Sequence, residues 1–498
     1  MKINVTEGFS DRLSTLVIPM FKQQSLQGWL NTLSELLNIP NELLLSDFKA
    51  NHKEVFTTYG NGQRIILLGL GDKILQHRII EAFRSLSHFT KGKNFTNIGI
   101  DIINFQFEDI EQDLLPFFAE MISSGLVLGQ YDIQLLKSKS ETDHTIETVE
   151  ILAFDEDGTI QKAIHQGLET ALTQREVMTL LNLPASHKTA LDLADWVQKS
   201  AKKHGYKAYI FEKEEIEKLG LNALLAVNRG SEIPPRFIVM EHQPKDGEAL
   251  KTIGLVGKGV TYDTGGLNIK TQGMHFMKSD MGGAAAVFGT MEIAAKLDLP
   301  FHIIGIVPTT DNCVDAKSIK PGDVIDSYSG LTIEVMDTDA EGRLIMADAL
   351  SYLVKHYQPD VLMDLATLTG SSVRTLGYYA GAMFTQNEDL ANEIYLAGQR
   401  SGERVWRLPM WEEYGNNLKS DIADVRNYGM TPLAGASEAA KFLENFVDNH
   451  PAYVHIDIAG VAYNDTAYAK HKIATAFGIR LLMDYMRQLE IEMSTADN

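Results

Sequence analysis

Short apolar runs alternate with helical patterns between residues 252 and 370, and this alternation restricts the fold more than any other feature. The runs "TIGLVG", "FHIIGIV" and "DVLMDLA" are almost continuously apolar, which is typical of strands buried on both faces of a sheet. The segments between them, "MGGAAAVFGTMEIAAKL" and "GRLIMADALSYLVKHY", have the composition of helices. The pattern therefore predicts an α/β fold, with helices covering a mixed, mostly parallel central sheet.

A second, smaller α/β pattern precedes this one. The runs "TLVIPMF", "RIILLGLGD" and "TNIGIDIINF" predict strands, and "DLLPFFAEMISSGLVLGQY" predicts a helix. A chain of 498 residues is also too long for one ordinary core. We therefore expect a smaller N-terminal α/β accessory domain, residues 1–165, and a larger C-terminal α/β domain, residues 166–498. The loop "GLGDKI" lacks the third glycine of a dinucleotide-binding fingerprint, so no cofactor site is predicted there.

Composition excludes several classes of protein. The formal net charge of −21 disfavours nonspecific binding to nucleic acid. We expect no membrane association, because no apolar run reaches membrane-spanning length and the start, "MKINVTEGFSDRL", lacks the apolar core of a signal peptide. Cys313 is the single cysteine, which excludes an intrachain disulfide and a cysteine-based zinc site. A reducing cytoplasm is the expected location.

Charged residues follow the predicted strands of the larger domain where those strands end. In sheets covered on both faces, functional sites lie at the carboxyl ends of the strands. "GKGVTYDTGGLNIK" follows one strand, "MKSDMGG" precedes a helix, and "DTDAEGR" follows the predicted strand "LTIEVM". If these ends converge, one pocket holds the following side chains: Lys258, Asp263, Lys270, Asp280, Asp339, Glu341 and Arg343.

Four carboxylates in one dry pocket require positive charge, because burying unpaired charge is costly. Oxygen-rich ligand sets suit Mg²⁺ and Mn²⁺, and with a nitrogen ligand also Zn²⁺. Carboxylates that bridge two ions would hold them roughly 3.5–4 Å apart, close enough to polarise a carbonyl and activate a water. The pattern therefore predicts a dinuclear metal site.

Each residue also has a simpler interpretation when it is taken alone. The "DTDAE" alternation is typical of a solvated strand end, and Asp280 could be a helix N-cap. Lys258 and Lys270 could be surface lysines, and Arg343 could pair with Glu341. Their joint arrangement at successive strand ends favours the metal site. His275 and His455 are expected to be hydrogen-bonded structural residues, because no HExxH or paired-histidine motif occurs in the sequence. The absence of GxSxG leaves serine-hydrolase chemistry without its usual signal.

The sequence resembles a known family at these positions. "DTDAEGRL" is similar to the "NTDAEGRL" signature of the leucyl aminopeptidases, the dinuclear-metal cytosol aminopeptidases or M17-type peptidases. Further similar segments stand in the family's order: "GKGVTYDTGG", "MKSDMGGAAAV", "PGDVI", "DLATLTG", "WRLPMWEEY", "LKSDIADVRN" and "HIDIAGVAY". The resemblance covers residues 165–498, and the N-terminal part resembles the family's accessory domain in architecture alone.

The resemblance implies a set of metal ligands. Lys258 and Asp280 match ligands of the tighter metal site. Asp263 and Glu341 match the carboxylates shared by both ions, and Asp339 matches a ligand of the more exchangeable site. Mn²⁺ or Zn²⁺ is the expected metal, with Mg²⁺ and Co²⁺ as alternatives.

The resemblance also implies catalytic and substrate-binding residues. Lys270 matches the lysine that polarises the scissile carbonyl, and Arg343 matches the arginine that holds bicarbonate. Four residues match the pocket for the first side chain of the substrate: Met277, Thr367, Gly370 and Ala459. Asp337 stands where the family has asparagine, and the loop between Lys270 and Asp280 is one residue shorter than is common, so that pocket is the least well defined.

We therefore expect a metal-dependent aminopeptidase that removes N-terminal, preferentially apolar residues such as Leu from peptides by means of a water activated by two metal ions. The family also implies a homohexamer. Three other functions fit parts of the sequence: a narrow dipeptidase of the same fold, a catalytically silent scaffold, and a two-metal phosphoesterase. The last explains the carboxylates but not "GKGVTYDTGG" or "DLATLTG".

Overall fold

The computed structural model describes the chain except for residues 11, 23–33, 36, 61, 104–113, 139–145, 246, 430, 432, 465–467 and 497–498. The chain divides into two compact units, Met1–Arg175 and Glu176–Asn498. This division falls inside a long helix, Thr159–Asn182. The predicted domain limits, 1–165 and 166–498, stay a prediction.

The first unit is built on one sheet. Its strands are β1 Lys2–Thr6, β2 Thr15–Phe21, β3 Val55–Gly60, β4 Gln63–Gly71, β5 Asn97–Asp101 and β6 Thr148–Leu152. Its helices are α1 Asn41–Asp47, α2 Gln76–Phe89, α3 Leu115–Gly129 and the start of α4 Thr159–Asn182. The strand order is β1-β6-β5-β2-β4-β3, and all neighbours are parallel except β3 and β4. The smaller α/β pattern of the sequence is therefore confirmed.

The second unit contains the remaining elements. Its first strands along the chain are β7 Lys207–Phe211, β8 Arg236–His242, β9 Thr252–Gly257, β10 Gly259–Asp263 and β11 His302–Asn312. The others are β12 Val324–Asp326, β13 Thr332–Glu334, β14 Val361–Ala366, β15 Gly381–Phe384, β16 Val405–Arg407, β17 Val425–Arg426, β18 Tyr453–Asp457, β19 Tyr463–Asn464 and β20 Ile473–Ala474.

Ten further helices follow α4 in the described part of this unit. They are α5 Ala190–His204, α6 Lys213–Leu219, α7 Asn222–Asn228, α8 Gly282–Leu297, α9 Glu341–Tyr357, α10 Gly370–Leu376, α11 Glu388–Ser401, α12 Glu412–Asn416, α13 Gly435–Glu444 and α14 Ile479–Ala496. Two 3₁₀ turns, Ala185–His187 and Met274–Ser279, complete the described elements. None of the helices in the described ranges is long and apolar enough to cross a membrane.

The central sheet of the second unit has the order β16-β15-β18-β14-β9-β11-β8-β7, and β10 pairs with β11. Its middle strands β18, β14, β9 and β11 are parallel, whereas β8 runs antiparallel to both of its neighbours, and β15 runs antiparallel to β18 but parallel to β16. The predicted mixed, mostly parallel sheet is confirmed. The carboxyl ends of β9, β14 and β18 therefore meet at one edge of the sheet.

Close packing of α8 against this sheet explains its small residues. A Cβ atom at Gly283 would lie 1.9 Å from the carbonyl oxygen of Leu365 on β14, which no side chain could tolerate. The helix approaches the strands this closely because glycine and alanine stand at the contact. The start of α8 is thereby fixed directly beside the ends of β9 and β14.

The prediction for "LTIEVM" is wrong in one respect. This segment forms only the short strand β13, and it lies in a separate three-stranded sheet, between β12 and β17, rather than in the central sheet. The connection from β12 to β13 is only five residues long, so a local antiparallel pair forms at little entropic cost. "DTDAEGR" therefore reaches the site from the small sheet.

Candidate metal centre

The predicted site residues converge at the carboxyl edge of the central sheet. Lys258 occupies the single position between β9 and β10, and Asp263 ends β10. Asp280 follows the turn Met274–Ser279, and Glu341 is the first residue of α9 with Asp339 just before it. Three different segments thus bring their charged side chains to one place.

Two lysines lie between the carboxylates. The amine of Lys258 lies 2.8 Å from both Asp280 Oδ2 and Glu341 Oε1. The amine of Lys270 lies 2.7 Å from Asp263 Oδ2 and also contacts Asp339 Oδ1. Each ammonium group thus bridges two carboxylates, and the two lysines are placed alike in this respect.

Backbone and side-chain donors fix the orientation of two of the carboxylates. Asp263 Oδ1 accepts hydrogen bonds from the backbone N–H of Gly265 and from Asn312 Nδ2, both at 2.8 Å. Asp280 Oδ1 accepts one from the hydroxyl of Thr367 at 2.8 Å. The other oxygen of each carboxylate is directed at a lysine amine, so the cluster is pre-organised.

The donor set fits divalent cations. Oxygen atoms of Asp263, Asp339 and Glu341 all lie within 4.8 Å of one another. Glu341 Oε2 is buried and has no hydrogen-bond partner among the residues that the structure describes. Four carboxylates face only two ammonium groups, which leaves an excess of negative charge. Oxygen ligands in this number, with a lysine nitrogen nearby, suit Mn²⁺, Mg²⁺ or Zn²⁺.

The pKa values express this excess of negative charge. Burial, together with the charges of Asp263 and Glu341, raises the pKa of Asp339 to about 7. Burial and the charge of Asp263 also raise the pKa of Glu341 above its usual value. A cation among these carboxylates would relieve both effects.

The pKa values of the two lysines are raised as well, because the carboxylates stabilise their charged form. Burial lowers the pKa of the Lys258 amine, but Asp280 and Glu341 outweigh it and raise the pKa well above that of a free lysine. The pKa of Lys270 is raised in the same way. Both amines are therefore protonated in this state, so Lys258 must lose a proton before it can serve as a ligand.

The simpler interpretations of these residues do not hold in the structure. The N-cap of α8 is Met281 rather than Asp280, and no side chain caps it. Lys258 is buried, and Lys270 is largely buried. Arg343 Nη1 donates to the carbonyl oxygen of Asn427 at 2.7 Å, and the guanidinium makes no ion pair within 4.0 Å in the described part of the chain.

Arg343 is a buried cation, and burial lowers its pKa. Its Nε atom has no hydrogen-bond partner among the described residues, and the ring of Tyr428 lies 5.9 Å from the guanidinium. Asp337 stands where the family has asparagine. Its Oδ1 accepts a hydrogen bond from the backbone N–H of Asp339 at 2.8 Å, which stabilises the conformation of this loop.

The four predicted pocket residues lie on neighbouring loops. Thr367 follows β14, Ala459 follows β18, and these strands are parallel neighbours. Gly370 begins α10, and Met277 lies in the turn Met274–Ser279 next to Asp280. The buried carboxylate of Asp457 organises this region: it accepts hydrogen bonds from Leu368 N, Thr369 Oγ1 and Ala459 N.

Sequence reasoning missed Asn427 as a site residue. This buried side chain accepts hydrogen bonds from Met336 N and Asp337 N at 2.8 and 3.3 Å, and donates to Asp337 O at 2.7 Å. Its backbone carbonyl holds Arg343. Asn427 thus joins the "DTDAEGR" loop to a segment about 90 residues away. Asn427 ends the segment "LKSDIADVRN", which resembles the family, but that resemblance did not indicate that Asn427 contacts the "DTDAEGR" loop.

The two histidines behave differently from each other. His455 is fully buried, and its Nδ1 lies 2.6 Å from Asp364 Oδ1, as expected of a structural histidine. His275 is exposed, its ring lies against Phe276, and it has no hydrogen-bond partner within the described ranges, so that prediction is wrong for His275. Loop exposure, which the sequence did not reveal, accounts for the difference.

The chain is similar to known proteins over most of its length. The profile of the "cytosol aminopeptidase family, catalytic domain" matches residues 176–483. A probable cytosol aminopeptidase of Chloroherpeton thalassium is 40% identical over 98% of this chain and 99% of its own. One of Chlorobaculum tepidum is 42% identical over 89% of this chain and 90% of its own.

Solved structures are similar over almost the whole chain. A mutant of tomato leucine aminopeptidase has a TM-score of 0.88 and 29% identity, covering 98% of this chain and 96% of its own. The bottromycin maturation enzyme BotP, in complex with Mn, has a TM-score of 0.84 and 29% identity, covering 96% of this chain and 99% of its own.

Proposed function

The chain belongs to the cytosol aminopeptidase family, and we propose that it is a metal-dependent aminopeptidase that releases apolar N-terminal residues from peptides with two metal ions. One observation carries the proposal. Four carboxylates and a lysine, which are the residues that match the family's ligands, meet at the sheet edge with an excess of negative charge.

The proposed ligands are Lys258, Asp263, Asp280, Asp339 and Glu341. Two divalent ions bound there would polarise the scissile carbonyl and lower the pKa of a water. Mn²⁺ is the first candidate, because a structurally similar enzyme is described in complex with Mn; Zn²⁺, Co²⁺ and Mg²⁺ are the alternatives. The free amine at the N-terminus of a peptide would bind one of these ions, which favours cleavage at a chain end over cleavage within the chain.

Lys270 is proposed as the electrostatic donor of the reaction. Its ammonium group is held between Asp263 and Asp339, at the rim of the cluster, where 18% of the side chain is exposed. From there it can donate to an oxygen that becomes negative as the amide is attacked. Such a donor is effective when it is already in place and most water is excluded.

Arg343 is proposed to hold an anion, bicarbonate being the candidate. It is a buried cation without an ion pair among the described residues, and its Nε has a free donor. Asn427 fixes the guanidinium through its carbonyl oxygen. An anion at this place could accept a proton from the attacking water.

The pocket for the first side chain is proposed to be lined by Met277, Thr367, Gly370 and Ala459. Thr367 directs its hydroxyl at Asp280, which leaves its methyl group for apolar contact near the start of α8. Leu and Met are the expected first residues. The family name and the acidic composition support a cytoplasmic enzyme without nucleic acid as a partner.

A panel of substrates tests the function. The Mn²⁺-loaded protein is expected to hydrolyse Leu and Met amides and the N-terminal bond of longer peptides, and to leave N-acetylated peptides intact. Turnover of dipeptides alone would indicate a narrow dipeptidase. Turnover of phosphoesters alone would indicate a phosphoesterase, and no turnover with two bound ions would indicate a scaffold.

A homohexamer is proposed as the active assembly, because the family to which the chain belongs implies it. Light scattering at the concentration of the assay is expected to give about six times the mass of the chain, which is 55.4 kDa. A fully active species with the mass of a single chain would contradict the assembly, while leaving the catalytic proposal in place.

A further inference from the structure

Lys188 is a buried lysine outside the site described above. It follows the 3₁₀ turn Ala185–His187, and Thr189 after it is the N-cap of α5, with a capping box to Asp192. The backbone is therefore held on both sides of Lys188. The whole side chain is buried, at 0% exposure, and it points away from solvent toward the turn Met274–Ser279.

The amine of Lys188 connects two segments. It donates to the carbonyl oxygen of Leu181 at 3.1 Å and to that of Lys278 at 2.5 Å. Lys278 in turn donates from its own amine to the carbonyl oxygen of Asn182 at 2.9 Å. Two lysines thus tie the end of α4 to the turn that carries Met277 and leads into Asp280.

The end of α4 explains why these lysines need no carboxylate. The last carbonyl groups of a helix have no partner within the helix and carry partial negative charge. Leu181 and Asn182 are the last two residues of α4, a helix of 24 residues. Lys188 and Lys278 satisfy their carbonyl groups, as basic side chains near a helix C-terminus commonly do.

The amine of Lys188 is poised between its two protonation states. Burial and the charge of Lys278 lower its pKa to about 7, and no described carboxylate lies within 4.0 Å of it. The neutral amine has two N–H groups, which equals the number of carbonyl oxygens that it contacts. The contacts to Leu181 and Lys278 can therefore persist without a buried charge.

We propose that Lys188 is a positioning residue that holds the turn Met274–Ser279 against the carboxyl end of α4, and thereby sets the place of Met277 and Asp280. The carbonyl oxygen that it holds belongs to Lys278, which stands between them. The effect on substrate choice rests on the function proposed above for Met277. The effect on the turn does not, because it follows from the hydrogen bonds alone.

Lys188→Met tests the proposal, because methionine keeps an unbranched apolar stem and removes the amine. Hydrogen–deuterium exchange of the amides of residues 274–280 is expected to become about tenfold faster. The ratio of kcat/KM for Leu amide to that for Ala amide is expected to change about threefold, since a displaced Met277 alters the pocket. A general loss of stability would instead accelerate exchange throughout the molecule, and it would leave the ratio of kcat/KM values unchanged.

Lys441→Met is the matched control. Lys441 is also buried, and it contacts Glu412 and Glu444 rather than the turn. This variant is expected to keep both the exchange rate of residues 274–280 and the selectivity ratio. A change equal to that of Lys188→Met would overturn the proposal.

Two further outcomes decide the remaining cases. If Lys188→Met does not fold, Lys188→Gln retains two N–H donors without an ionisable amine, and it should give a smaller acceleration of exchange in the same amides. Unchanged exchange in a folded Lys188 variant would overturn the positioning role. If the wild type cleaves no amide, the proposed function fails, and the exchange experiment still decides the role of Lys188 in the turn.

Discussion

Removal of divalent metal is expected to lower amide hydrolysis on the order of 10³-fold or more, because two ions contribute several kcal/mol to the stabilisation of the transition state. Without cations, Lys258 and Lys270 partly neutralise four carboxylates, so the fold should survive. The measurement is turnover and metal content after dialysis against a chelator, with circular dichroism to establish that the chain stays folded. Mn²⁺, Co²⁺ or Zn²⁺ is expected to restore turnover.

A pair of variants separates the metal site from general electrostatics. Glu341→Gln keeps the shape of the side chain but removes a charge from the cluster, and it should lower the number of bound ions. Glu334→Gln is the control, because Glu334 is also buried but pairs with Arg426 and Ser420 outside the cluster. Full turnover in a preparation verified to be metal-free would end the dinuclear proposal.

The two bridging lysines are expected to respond differently to substitution by arginine. Lys258→Arg should lower occupancy of the tighter metal site, because arginine stays protonated and offers no lone pair to a metal. The structure also leaves little room for an arginine side chain at position 258. A Cβ atom at Gly342 would lie 2.3 Å from Lys258 Cε, so α9 is already packed closely against the Lys258 side chain.

Lys270→Arg should instead lower kcat while both ions stay bound. Loss of one preorganised donor costs on the order of 10²–10³ in rate, and arginine can retain part of that donation. Lys270 is also less buried than Lys258, with 18% of its side chain exposed against 3%, so a larger side chain can be accommodated.

Metal stoichiometry and turnover of both variants are the measurements. Lys441→Arg is the matched control, because Lys441 is likewise a buried lysine between two carboxylates, Glu412 and Glu444, and lies outside the cluster. It should change neither quantity. Two ions bound with unchanged affinity in Lys258→Arg, or one ion lost in Lys270→Arg, would refute the roles proposed for the two lysines.

The central sheet and the charged residues of the candidate metal site could be predicted from the sequence, because both depend on short stretches of consecutive residues. An apolar run such as that of β9 must be buried wherever it lies, and the helix α8 must be close to a strand because its residues are small. The position of Lys258 and Asp263 at strand ends then followed from the general geometry of α/β sheets. The similar motifs supplied the expected role of each residue.

Local patterns also have a limit, which β13 shows. A short segment in which apolar and polar residues alternate indicates a strand, but it does not indicate which sheet the strand joins. The choice depends on the neighbouring segments, here β12 and β17, and β17 comes from about 90 residues further along the chain. The wrong assignment of this strand did not displace Asp339 or Glu341, because the loop after it still reaches the site.

The sequence by itself determined the α/β class of the chain and which charged residues are available for a site, since both are written in consecutive residues. Only the tertiary structure decided which lysine meets which carboxylate, that Asn427 holds Arg343, and that Lys188 holds the turn before Asp280. The physical reason is that a hydrogen bond or an ion pair depends on distances of about 3 Å between segments far apart in the chain, and those distances exist only once the core is packed.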